Sequence, residues 1–141
     1  MQKIEFGIAF LIFMTSFSFI VFSLLSSEHD TGENMEGEIL LETFLKEKGT
    51  PENWNSADVE KIGLAISPNV LDKNKIEELI KMDYKDVKSI LGIKGDFRIS
   101  IKTESYNMSY GKTVPSYASV RKFERPIVLD NELGEFYLYY W

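Results

Sequence analysis

Residues 6–25, FGIAFLIFMTSFSFIVFSLL, carry no charged side chain, and six of the ten phenylalanines of the 141-residue chain lie among them. As a helix, 20 residues rise roughly 30 Å, the hydrocarbon thickness of a bilayer. A cleavable secretory signal would have a shorter apolar stretch followed by a small-x-small site. Ser23-Leu24-Leu25-Ser26-Ser27 is a poor match to that site. A retained transmembrane helix, set in a membrane or in something membrane-like, is the expectation. Lys3 is the only basic residue before the run, and no Lys or Arg follows until Lys46. This asymmetry points to a C-terminal part displayed outside the cytoplasm.

The mean hydropathy of −0.15 averages two unlike halves. The charge is also uneven: residues 27–60 hold 10 acidic and 2 basic residues, whereas residues 61–141 hold 11 acidic and 13 basic. A solvated acidic segment beside a mixed surface accounts for this. Complementarity between neighbouring copies, acidic segment against basic face, is the alternative. The net charge of −6 argues against nucleic-acid binding, which draws on clustered Lys and Arg. Without cysteine there is no disulfide, thiolate metal site or cysteine nucleophile. His29, the only histidine, sits in a polar stretch. No phosphate loop, dinucleotide fingerprint or catalytic pair stands out, so neither enzymatic activity nor a cofactor is expected. Asp30-x-Gly32-x-Asn34 fails as a Ca²⁺ loop because Met35 occupies the glycine position.

Further along, residues 35–48 read as an amphipathic helix ended by Gly49, with Pro51 soon after. No proline interrupts residues 1–50, so the apolar run and this helix could be one rod with a weak joint at Gly32 and Gly37. Asp72 and Asp83 read as N-caps of helices over about 73–82 and 84–91, the second stopped by Gly92. Phe97, Ile99 and Ile101 alternate with polar residues as in a half-buried strand. Residues 104–116 read as a polar loop. A parity switch between Val120 and Phe123 predicts a bulge near residues 121–126. EFYLYYW, residues 135–141, reads as a strand covered on both faces. The fold class expected is α+β: a long N-terminal hydrophobic helix, then a small domain with short helices and an antiparallel sheet of three strands. Residues 1–27 form the helix and 28–141 the domain.

Glu5 stands one residue before the apolar run. It reads either as an interfacial carboxylate or as a pairing site for the free α-amine of another copy, since a carboxylate in an apolar assembly needs a fixed cation. Met1-Gln2-Lys3-Ile4-Glu5-Phe6 with the phenylalanine-rich run resembles the mature N-terminus of a type IV pilin. Gly49-Thr50-Pro51-Glu52-Asn53-Trp54-Asn55-Ser56, Ile62-Gly63-Leu64-Ala65, Leu91-Gly92-Ile93 and the ending Val120-Arg121 to Trp141 narrow the resemblance to archaeal type IV pilin-like proteins.

The resemblance implies a structural subunit of a cell-surface filament, polymerising with itself through the N-terminal helix. A prepilin peptidase would process it, and it would wait in the cytoplasmic membrane. An assembly ATPase and a membrane platform protein would then extract it into the filament. Met1 and Glu5 become assembly residues, with Met1 read either as the mature first residue or as an initiator. Phe6, Phe10, Phe13 and Phe17, spaced by 4, 3 and 4, form a stripe suited to helix packing. The alternatives are a minor pseudopilin and a single-pass membrane-anchored binding domain. Asn107-Met108-Ser109 is an N-glycosylation sequon.

Overall fold

In the computed structural model the backbone is described for residues 2–141, and side chains for residues 7, 8, 12–22, 32 and 35–141. The chain forms two compact units, Met1–Asn34 and Met35–Trp141. Helix α1 comprises Gln2–Lys46.

Among the described residues no helix is long and apolar enough to cross a membrane. The transmembrane helix and the pilin-like architecture expected from the sequence are corrected accordingly. From Glu28 onward the sequence of α1 is dominated by charged and polar residues. The element is therefore not one hydrophobic helix.

The second unit is an α layer on one face of a sheet. Within it, α1 turns Leu40, Leu41, Phe44 and Leu45 into the core. Its last-turn carbonyls, which have no partner inside a helix, are met by neighbouring backbone. Leu64 donates to Phe44 O at 3.2 Å, Asn69 to Leu45 O at 2.9 Å, and Ala65 to Glu47 O at 3.1 Å. Gly49 is thus not the cap. It lies three residues beyond the helix at φ +82°, pressed against the Trp54 ring. Trp54 is buried, and its indole N–H donates to Gly63 O at 2.9 Å.

Helices α2 (Lys73–Lys81) and α3 (Tyr84–Leu91) begin as expected. Asp72 and Asp83 accept from Asn74 N and Lys85 N, each at 2.9 Å. Gly92 ends α3 in the left-handed conformation. Lys75 on α2 is buried, and its ammonium donates to Lys48 O at 2.7 Å and Ala65 O at 3.3 Å.

The sheet has six strands: β1 (Ala65–Ser67), β2 (Val70–Leu71), β3 (Phe97–Lys102), β4 (Asn107–Gly111), β5 (Arg121–Leu129) and β6 (Glu132–Tyr140). Their order is β1-β2-β5-β6-β3-β4. It is mixed, because β2 pairs parallel with β5 through Val70–Val128 and Leu71–Leu129. The three-stranded antiparallel sheet is therefore corrected to a six-stranded mixed one. Asn69, at φ 62°, folds β1 back on β2 and lets the pair extend the edge.

Two further expectations change. Residues 107–111, read as loop, are β4, paired with β3 from Arg98–Gly111 to Lys102–Asn107. β5 pairs with β6 in unbroken register from Arg121–Tyr140 to Leu129–Glu132, without a bulge. Ala118 and Val120 precede the strand, so the parity switch is its start. The β5–β6 hairpin turns at Asp130 and Asn131, with φ 50° and 64°, as a two-residue loop requires. β6 is buried on one face only: Phe136, Leu138 and Tyr140 point inward, while Tyr137 and Tyr139 lie half-buried on the other side.

Candidate assembly site

The first unit carries the residues that sequence reasoning assigned to assembly. Met1, Glu5, Phe6 and Phe10 lie outside the described side chains. Phe13 and Phe17 are described. Their ring centroids are 6.1 Å apart and their planes 18° apart, as one helical turn dictates for positions i and i+4. Both point into solvent, at 63% and 55% exposure.

They have company all round the helix. Ile12, Met14, Phe19, Ile20, Val21 and Phe22 are also exposed. At 100° per residue these positions leave no polar face. Thr15 does not add one, since its Oγ1 donates back to Ile12 O at 2.9 Å, consuming its own donor. A side chain added at Gly7 would meet no heavy atom within 4 Å. Phe13 and Phe17 of the expected stripe are thus part of a wider apolar girdle, readable in the sequence as the absence of any charge in the run.

In the second unit Glu36, Glu38, Glu42 and Glu47 of the acidic segment have partners in their own chain. Glu36 accepts from the Tyr140 hydroxyl and, at 3.0 Å, from Lys94 N. Burial pushes its carboxyl up, but these bonds and the nearby Lys94 and Lys88 charges outweigh that and hold it below the usual range. Glu38 lies 3.5 Å from Arg125, Glu42 pairs with Lys46, and Glu47 lies 3.3 Å from Lys61.

A second anchor gathers on Asp96, which sequence reasoning did not single out. Its carboxylate accepts from Lys88 at 3.0 Å, Lys112 at 2.6 Å and the Tyr84 hydroxyl at 3.1 Å. Its backbone exchanges two hydrogen bonds with Trp141. Burial pushes Tyr84 up to about 12, so it stays a neutral donor. A lysine, a loop lysine and a tyrosine converging on one aspartate leave no trace in the spacing.

Asn107 begins edge strand β4, with its side chain exposed on the outer face. The sequon therefore sits on a strand. Two shallow clefts flank the sheet: one of about 390 Å³ around Lys102, Pro126 and Leu133, and one of about 350 Å³ where Lys73 and Asp130 approach to 3.6 Å. Among the described residues no group of three His, Asp or Glu side chains could hold a metal ion. The chain matches no family model, no curated protein and no solved structure.

Proposed function

We propose that this chain is a structural subunit of a cell-surface filament of the archaeal type IV pilus kind, assembled by copies of itself through the N-terminal stretch of α1. The observation that carries the reading is the apolar girdle at residues 12–22, where eight large hydrophobic side chains stand exposed around the helix. A helix that is apolar on all sides is stable in water only when other surfaces enclose it. An amphipathic stripe would match one partner; an unbroken girdle matches several neighbours at once, as in a bundle of identical helices. Glu5 then sets register by meeting a neighbour's α-amine. The second unit, with its own core, stands on the outer surface.

Sheared cell-surface material viewed by negative-stain microscopy, with peptide identification, tests the reading. Filaments containing this chain are expected. Phe17→Asp is expected to abolish them while leaving the thermal midpoint of the second unit unchanged. Filaments undiminished by that variant, or surface material without the chain, would falsify the assignment.

A further inference from the structure

Of the seven asparagines in the chain, only Asn107, in Asn107-Met108-Ser109, heads an N-glycosylation sequon. Several of the others serve the fold. Asn69 and Asn131 hold turns at positive φ, and the Asn55 side chain accepts from Ala57 N at 2.9 Å. Asn107 does neither. It begins β4, its side chain is exposed, and it makes no side-chain hydrogen bond among the described residues. Asparagine is depleted in strands, so the fold gives no reason for one here.

The geometry presents the whole sequon. Met108 turns into the core, so Asn107 and Ser109 stand together on the outer face, as positions i and i+2 of a strand do. β4 is also the last strand of the sheet. Thr103 N donates to Tyr106 O and Lys112 N to Phe97 O, and bonded pairs alternate with unbonded ones along an antiparallel ladder. The backbone groups of Asn107 and Ser109 therefore face the open edge. Across the outer face, Asn107 starts a row that continues through Lys102, Glu135 and Pro126, all exposed. The last three line the shallow cleft of about 390 Å³, with Leu133 beside them. An oligosaccharide on Asn107 thus meets open surface, polar at Lys102 and Glu135 for its hydroxyls, apolar at Pro126 and Leu133 for its C–H faces.

We propose that Asn107 carries an N-linked oligosaccharide, received from an isoprenoid-phosphate sugar donor outside the cytoplasm. The amide Nδ2 attacks C1 of the donor's first sugar. The C1–O bond to phosphate breaks, the lipid phosphate leaves with the electron pair, and a base of the transferase takes the amide proton. Nothing is oxidised or reduced. The inference rests on the filament reading for one condition, that the second unit is displayed outside the cytoplasm. A glycan there also covers the open edge of β4, where strand addition by another chain would begin.

The test uses the full chain recovered from sheared surface material of its own cells. Trypsin releases Thr103–Lys112, a peptide in which Asn107 is the sole asparagine, and tandem mass spectrometry reads it. A saccharide mass on Asn107 is expected, and the intact chain should exceed 16.3 kDa by the same amount. Asn107→Gln and Ser109→Ala should both remove that mass. Ser109→Thr, which restores the hydroxyl, should keep it. All three change exposed side chains, so the thermal midpoint of the second unit should hold in each. An unmodified Asn107 in surface material overturns the inference. So does a sugar that survives Asn107→Gln, which places it on a hydroxyl of the same peptide. A chain found only in the cytosol is a different result and overturns the filament reading itself.

Discussion

Asp96 shows how much one side chain can hold together. Burial pushes its carboxyl up, and hydrogen bonds from Lys112, Lys88 and Tyr84 more than offset this, so it titrates below the usual range. Its folded value is thus lower than its unfolded one, near 4. The contribution is complete above about pH 4 and fades as the pH drops through the folded value. Glu36 acts with the same sign. The urea midpoint is expected to be flat from pH 7 to 5 and to fall below pH 4. Asp96→Asn should lower stability by about 2 kcal/mol at pH 7, since it removes hydrogen bonds to a charged group, and should flatten the acid limb. An unchanged acid limb in the variant would assign the effect elsewhere. Gly63 is constrained differently. A Cβ there would lie 2.2 Å from Glu47 O and 2.6 Å from Gly49 N. Those are backbone atoms that cannot swing aside, so Gly63→Ala is expected to cost about 2 kcal/mol or more by thermal melting. Trp54 depends on the same corner, because its indole bonds to Gly63 O.

The elements differ in how far the sequence announces them. Asp72, Asp83 and Gly92 mark α2 and α3 because capping is local chemistry, settled within four residues. The alternation from Phe97 to Ile101 marks β3 for the same reason. β4 was missed although Tyr106, Met108 and Tyr110 alternate toward the core; serine, asparagine and glycine around them hid the period. The parallel β2–β5 pair had no local signal at all, since it joins residues nearly 60 apart. The girdle of the candidate site was legible as an uncharged run, whereas the cluster on Asp96 needed the tertiary fold to bring Tyr84, Lys88 and Lys112 together. Gly37 illustrates the same limit. Helix propensity alone says that Gly37→Ala stabilises by about 1 kcal/mol. In the fold its Cβ would approach the Phe123 ring to 2.6 Å. Net destabilisation is expected, converting to a gain when combined with Phe123→Ala; a double-mutant thermal cycle measures the sign.

At the scale of the molecule, the chain divides into two compact units between Asn34 and Met35, and the proposed assembly stretch lies in the first. Among the described residues, the buried core lies in the second unit. A chain trimmed to begin at Met35 is therefore expected to melt cooperatively at the full-length midpoint, as circular dichroism can check. Glu5→Ala in the full chain should leave that midpoint unchanged and abolish filaments in sedimentation and microscopy. The core also ties its first helix to its last strand: the hydroxyl of Tyr140 bonds Glu36, 104 residues earlier. During synthesis at about 5–20 residues per second, that is a wait of roughly 5–20 s. For that interval Phe44 has Phe97 of β3 as a ring neighbour before Phe136 of β6 completes its surroundings. The strand that closes the core is thus made long after the helix it covers, and the second unit completes its packing only once β6 is present.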